Sequence, residues 1–304
     1  MRGKTDWQVR EIFTEIKEIG NSKYDAKNAA RESGAHGSAG IAQKTGIYSY
    51  RTLDSYRESV VKFATYAKDN LNLKDLTKTT AETIKLYLQS RINENIAHKT
   101  FQLDKAALNK FETALNLYSE SHNLNKTYDF KLNDNFKATH KELTHSDVRA
   151  YDKKDLDKIM NIADKTVNLT VRLAYSGGLR KSEILKLTEK NLKSCSIEII
   201  GAKGGKDRTI SQISDKTLIS DVKAFLKENN LSRFGDAVAG GKINREIARA
   251  TGDSGSLHRL RHNYAINTVR EFESKGYSNV EAVHLASIEL GHNRNEIIEG
   301  VYSK

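Results

Sequence analysis

Six side chains, spread over five short stretches, have the types needed to handle a phosphate ester. They are Arg180 in "GGLRKSE", Lys203 in "AKGGKDR", His258 and Arg261 in "HRLRH", His292 in "LGH", and Tyr302 in "EGVYSK". In a helix His258, Arg261 and His262 share one face, because positions three and four apart are neighbours. Guanidinium forks match phosphate oxygens in pairs and keep their charge at working pH. Two arginines, one lysine and two histidines around one anion would stabilise a phosphoryl transition state. A tyrosine beside them would supply a nucleophile.

Each residue alone also has a plainer reading. Arg180 follows Gly177-Gly178 and could cap or solvate a helix end. Lys203 competes with Lys206, either of which could be a solvated turn residue. His292 could be a helix C-terminal histidine favoured by the dipole. Tyr302 could be a packing aromatic, with Tyr264 and Tyr277 as rival nucleophiles. His262 is expected to pack or to bond backbone. Two other chemistries fail on spacing. "GAKGGKD" lacks the four residues a phosphate-binding P-loop places before Gly-Lys, and Asp207 stands where Ser or Thr is needed. "HRLRH" has the paired histidines of a zinc peptidase helix, but Arg259 replaces its glutamate and Arg261 sets a fixed cation beside the proposed metal.

Together the stretches resemble the tyrosine recombinase, or phage-type integrase, family, in that family's order. "SGGLRKSEILKLT" looks like its first arginine box, "GAKGGKDR" its lysine hairpin, "HRLRHNYA" its His-x-x-Arg-His box, and "LGHNRNEIIEGVY" its Leu-Gly-His box with the tyrosine. The resemblance covers roughly residues 150–304. It implies that Arg180 and Arg261 hold the scissile phosphate and that Lys203 protonates the leaving 5′ oxygen. His258 would assist proton transfer at the tyrosine, His292 would bond the phosphate, and Tyr302 would form a 3′-phosphotyrosine bond. Glu183, one turn after Arg180, would orient the cations. No metal, cofactor or ATP is implied. Two departures stand out: Tyr302 lies ten positions after His292, one more than the commonest spacing, and only Ser303 and Lys304 follow it. Subunit contacts are then expected from elsewhere, such as the N-terminal helices.

The elements that must carry these residues are mostly helical. Val9, Ile12, Phe13, Ile16 and Ile19 predict a helix over 6–19, followed by a glycine-rich loop or linker in "ESGAHGSAGIAQKTG". Leu53, Tyr56, Val60, Phe63 and Ala67 predict a second helix. Thr79 and Glu82 have capping-box spacing at the start of a third. Phe101, Leu108, Phe111, Leu115 and Tyr118 lie on a fourth. The second half opens on a helix at "YDKKDLDKIMNIA", breaks at Gly177-Gly178, alternates as strands through "SIEIIGAKGGKDRTISQI" with a turn at Gly204-Gly205, and returns to helix from about 215. The fold class expected is mainly α with a small β-sheet: a helical, SAM-like core-binding domain and a mixed α/β catalytic domain. The boundaries read as an N-terminal helical extension with a Gly-rich loop at 1–45, a core-binding domain at 46–125, a linker at 126–149 and a catalytic domain at 150–304. The polar linker could lie along a polyanion or be an ordinary surface connection.

Composition agrees with a nucleic-acid partner. The net charge is +11, with a pI near 9.4, and the basic excess is spread along the chain. No apolar run is long enough to span a bilayer, and the N-terminus turns amphipathic too soon for a signal peptide, so the expected place is the cytoplasm. The single Cys195 fits a reducing compartment and is expected to be a small buried hydrophobe. Proline is absent, so helix ends must rely on Gly, Asn and capping side chains. The expected function is site-specific DNA recombination on double-stranded sites by a homotetramer assembled on DNA, with the two domains clamping the duplex. The rivals are a type IB topoisomerase-like relaxing enzyme and a non-catalytic DNA-binding relative.

Overall fold

The computed structural model describes residues 1, 3–130, 143, 150–201, 207–253 and 255–291. The chain divides into two compact units, residues 1–147 and 148–304. None of the described helices is long and apolar enough to cross a membrane.

The named elements of the first unit are all helices. Its helices are α1 (Thr5–Thr14), α2 (Lys23–Glu32), α3 (Gly37–Gln43), α4 (Tyr50–Leu71), α5 (Ala81–Asn93) and α6 (His98–Ser121). The stripes at helical spacing on α1, α4 and α6 face one another. Val9, Ile12, Phe13, Leu53, Val60, Phe63, Ala67, Phe101, Leu108, Phe111 and Leu115 are all buried in one core. Phe13 stacks on Phe111 with centroids 6.4 Å apart, so α1 is part of this core and not an appendage to it. Its helix is shorter than the spacing predicted, ending at Thr14, yet Ile16 beyond the end is still buried.

The glycine-rich stretch expected as a loop contains α3. That helix holds because Lys110 on α6 sends its ammonium to the carbonyls of Ala42 and Thr45, at and just beyond its end. Cations at a helix C-terminus satisfy orphan carbonyls and the dipole together. Burial, and then the charge of Lys23, bring the Lys110 pKa down to about 8. The third predicted helix is displaced by one residue: Thr80 caps α5 and exchanges bonds with Thr83, while Thr79 is buried and bonds back to the carbonyl of Leu76. The start of the expected linker is also packed. Tyr128 and Phe130 are buried in the first core, and the Tyr128 hydroxyl donates to the carbonyl of Thr77 at 2.7 Å.

The second unit begins with α7 (Lys153–Met160), α8 (Lys165–Ser176) and the single turn α9 (Lys181–Ile184). A hairpin follows, of β1 (Ile197–Ile199) and β2 (Arg208–Ile210), paired antiparallel with Ile197 opposite Ile210 and Ile199 opposite Arg208. Then come α10 (Leu218–Glu228), α11 (Lys242–Thr251), α12 (Leu257–Ser274) and α13 (Asn279–Glu289). Each strand is only three residues long, and the expected Gly204-Gly205 turn lies outside the described residues. Asp152, Asp164 and Ser278 cap α7, α8 and α13 by accepting a backbone N–H, each worth about 1 kcal/mol.

Without proline, helix ends stop on left-handed residues, as expected. Asn72 after α4 (φ 52°) and Gly252 after α11 (φ 75°) are C-caps in that conformation. One expectation is corrected here: Cys195 is exposed, in the turn that leads to β1, and not part of a core.

Candidate active site

The first arginine is placed by a helix stop and a helix start with four residues between them. Helix α8 ends at Ser176, and Gly178 adopts φ 62°. A Cβ at Gly178 would stand 2.4 Å from a ring carbon of Tyr264 on α12, so conformation and contact both require glycine. Buried Leu179 then turns the chain inward, and Arg180 becomes the N-cap of α9. Glu183 is the third residue of that turn. Its Oε2 accepts the backbone N–H of Arg180 at 2.8 Å, the carboxylate half of a capping box.

That position lets one carboxylate serve two arginines. Arg180 donates Nη1 to Oε1 of Glu183 at 2.7 Å. Arg208 on β2 lays its fork across both oxygens, Nη1 to Oε1 at 2.8 Å and Nη2 to Oε2 at 2.7 Å. Glu183 and Arg208 are almost wholly shielded from solvent, with side chains 5% and 8% exposed. Burial pulls the Glu183 carboxyl up, but the bonds and charge of Arg208, and then of Arg180, outweigh it and hold the group down at about 2.

Arg261 approaches from α12. The buried stripe of that helix runs Leu257, Leu260, Arg261, Tyr264, Ala265, Thr268 and Val269, so Arg261 occupies a core position with a charged head. Its guanidinium donates to the carbonyls of Gly178 and Leu290. Arg180 also reaches Leu290, giving Nη2 to the same carbonyl at 3.3 Å. Burial, then the charges of Arg180 and Arg208, press the Arg261 pKa down to about 9, so it remains protonated at neutral pH. Two guanidiniums therefore bond one carboxylate, and a third, Arg261, joins Arg180 at the Leu290 carbonyl. The excess is cationic, which suits an anionic oxygen group.

The other predicted residues divide into two groups. His258 lies in the first turn of α12, one turn before Arg261, and is exposed. Its ring stands edge-on to His262, centroids 5.1 Å apart, while Arg259 stacks on Tyr151 at 4.0 Å. Lys203, its competitor Lys206, His292 and Tyr302 lie outside the described residues. Both rival tyrosines lose ground. Tyr264 is buried, its hydroxyl is bonded to the carbonyl of Gln212 at 3.0 Å, and burial pushes its pKa far up. Tyr277 packs edge-on against Phe272.

Two groups in this cluster were missed by the sequence reading. Arg208 sits inside the quoted "GAKGGKDR" but received no role. Its signal was weak: a charge on a three-residue strand, whose inward side only the pairing with Ile199 reveals. The carbonyl of Leu290, where Arg180 and Arg261 meet, is backbone and has no signature beyond the "LGH" that follows it.

No family model matches the chain. Among solved structures it is similar to the XerH site-specific recombinase bound to palindromic difH substrate, with a TM-score of 0.61 and 16% identity, over 97% of this chain and 90% of that one. It is also similar to a lambda integrase dimer bound to a COC′ core site, with a TM-score of 0.58 and 17% identity, over 84% and 89%. The Tn1549 transposon integrase in complex with transposon right end DNA scores 0.56 at 13% identity, over 97% and 95%. This is the tyrosine recombinase fold. Sequence likeness is more local. The tyrosine recombinase XerA of Pyrococcus horikoshii is 35% identical over 94 residues, 30% of this chain. That match spans 30% of the curated relative's own length, so the shared stretch is under a third of either protein.

Proposed function

We propose that this chain is a site-specific DNA recombinase that cuts and rejoins duplex DNA through a 3′-phosphotyrosine bond. The observation that carries the reading is the convergence of Arg180 and Arg261, from separate helical segments, on the carbonyl of Leu290, with Glu183 as the counter-ion of Arg180. The residue after Leu290 is the Gly of the Gly-His pair, so three of the four sequence boxes meet at one place.

In this mechanism Arg180 and Arg261 bind the two non-bridging oxygens and neutralise the charge that grows on the phosphorane. Tyr302 attacks phosphorus, passing its proton toward His258. The bond to the 5′ oxygen breaks, and Lys203 delivers the proton that oxygen needs. His292 donates to the phosphate. The ester energy is kept in the tyrosine link, and a 5′-hydroxyl from a second duplex reverses the step. Exchange between two duplexes requires four cuts, hence four protomers on DNA. Structural neighbours bound to DNA, among them a lambda integrase tetramer on a Holliday junction, support this assembly. The setting proposed is the cytoplasm of a prokaryote, in keeping with the archaeal relative.

The test is a covalent-capture selection. A pool of nicked duplexes with a randomised core is incubated with the full chain, and DNA that stays attached after denaturation is sequenced. A family of related sites attached through a phosphotyrosine is the expected result. Binding without attachment on any sequence would replace recombinase with a non-catalytic DNA-binding protein, and relaxation of supercoils without pairing of two duplexes would indicate a topoisomerase-like activity.

A further inference from the structure

Glu183 is saturated, and Arg208 is what saturates it. A carboxylate offers about four lone-pair directions. Here they receive the Arg180 backbone N–H, Arg180 Nη1, and both Nη atoms of Arg208. Arg180 is thereby limited to a single side-chain bond on Glu183, at 2.7 Å, and its Nη2 reaches the Leu290 carbonyl instead. Arg208 is fixed from its other edge as well: Nε donates to the carbonyl of Glu289 at 3.1 Å. A Cβ on the next-but-one residue, Gly291 (φ 64°), would come within 3.0 Å of Arg208 Cδ and Nη1. The Glu289 carboxylate closes the same corner by accepting from the Ser211 hydroxyl at 2.6 Å. With Nε on the Glu289 carbonyl and both Nη atoms on Glu183, the Arg208 fork is already committed within the protein.

We infer that Arg208 is a positioning residue for the proposed strand cleavage. It occupies Glu183 so that this carboxylate cannot capture the whole fork of Arg180, and it ties β2 to the turn that presents Leu290. With Arg208 gone, a buried anion is left with two open lone-pair sites and one neighbouring fork. Fork-to-fork pairing is the strong geometry for a guanidinium and a carboxylate, so Arg180 closes on Glu183 and withdraws from phosphate. The inference rests on the recombinase reading and adds to it a residue that acts through another.

The experiment compares the full-length wild type with Arg208→Gln, Arg208→Lys and the double variant Arg208→Gln/Glu183→Gln. The probe is a nicked duplex recovered from the wild-type capture selection. Single-turnover adduct formation and duplex affinity are measured separately, across pH. Arg208→Gln is expected to slow adduct formation about 100-fold, the cost of a small misplacement of a reacting group, with affinity unchanged. Arg208→Lys slows it in the same direction, because an ammonium cannot span both oxygens as a fork; it carries the comparison if the Gln variant does not fold. The deficit of the Gln variant narrows as pH is lowered, because a Glu183 without Arg208 takes up a proton more readily and then no longer competes for Arg180. Adding Glu183→Gln restores part of the rate, since the competing charge is gone. Wild-type rates in the single variants, equal losses of rate and affinity, or additive losses with a deficit that does not narrow at lower pH would each overturn the inference. A wild type that never forms an adduct overturns the recombinase reading and this inference with it.

Discussion

Replacing Glu183 with glutamine keeps the shape of the side chain and removes the one charge that Arg180 and Arg208 share. The displacement of its pKa from an ordinary 4.5 to about 2 is equivalent to about 3 kcal/mol of stability at neutral pH. Because the folded value lies below the unfolded one, that contribution is complete above about pH 5 and is lost as pH falls toward 2. The amide cannot pair with the Arg208 fork through both oxygens, and it takes from buried Arg208 the carboxylate that both its Nη atoms bond. Removing one partner of a buried ion pair costs about 3–5 kcal/mol, in line with the size of the pKa displacement. The assay is urea unfolding of the full chain followed by far-UV circular dichroism, because the single tryptophan, Trp7, lies in the other unit. Glu183→Gln should lose about 3 kcal/mol at pH 7, and the gap should narrow as both proteins are taken toward about pH 3. A variant within about 0.5 kcal/mol of wild type at pH 7, the range of an ordinary surface substitution, would refute the idea that this carboxylate organises the site.

Three further outcomes are expected. Gly178→Ala combines a left-handed backbone with a Cβ 2.4 Å from the Tyr264 ring, and should lose about 2–4 kcal/mol in the same unfolding assay; a loss below about 1 kcal/mol would show that the α8–α9 turn can relax. Lys110→Met takes the ammonium away from the carbonyls of Ala42 and Thr45, a loss of about 1–3 kcal/mol. Faster amide exchange over residues 37–46 should report it, and unchanged exchange would deny Lys110 its part in holding α3. Affinity for random-sequence duplex DNA should fall about 1000-fold between about 50 and about 200 mM salt, as for a protein neutralising several phosphates; a flat salt dependence would contradict a backbone-led contact.

The described part of the arginine cluster was legible because its chemistry is carried by rare residue types at short spacing, while Lys203, His292 and Tyr302 lie outside the described residues. Arg180 and Arg261 were singled out by their boxes, and the structure joins them through Leu290. Glu183 was the harder inference. As a surface helix residue it would have been unremarkable, and only its place at the third position of a one-turn helix makes it a buried counter-ion. Arg208 was not read at all, because its role depends on strand pairing and on a turn far away in sequence. In the first unit the apolar stripes on α1, α4 and α6 declared themselves by period, but α3 did not. Its sequence, "GSAGIAQ", has poor helix propensity, and the helix is held by a lysine from α6 that no local window contains. The same limit explains Tyr128 and Phe130: two aromatics in a polar run carry no period, yet both are buried against α6 and its neighbours. Cys195 erred in the opposite direction, since a lone cysteine beside an apolar strand turned out to belong to the turn before it.

The most direct test of the account is the identity of the residue attached to DNA. Wild-type protein trapped on a captured nicked duplex is digested, and the nucleotide-bearing peptide is sequenced by mass spectrometry, with Tyr302→Phe run in parallel. The account predicts a 3′-phosphate ester on Tyr302, and no denaturation-resistant adduct in the Tyr302→Phe variant. An adduct that persists in that variant, or one mapped to any other residue, would contradict it.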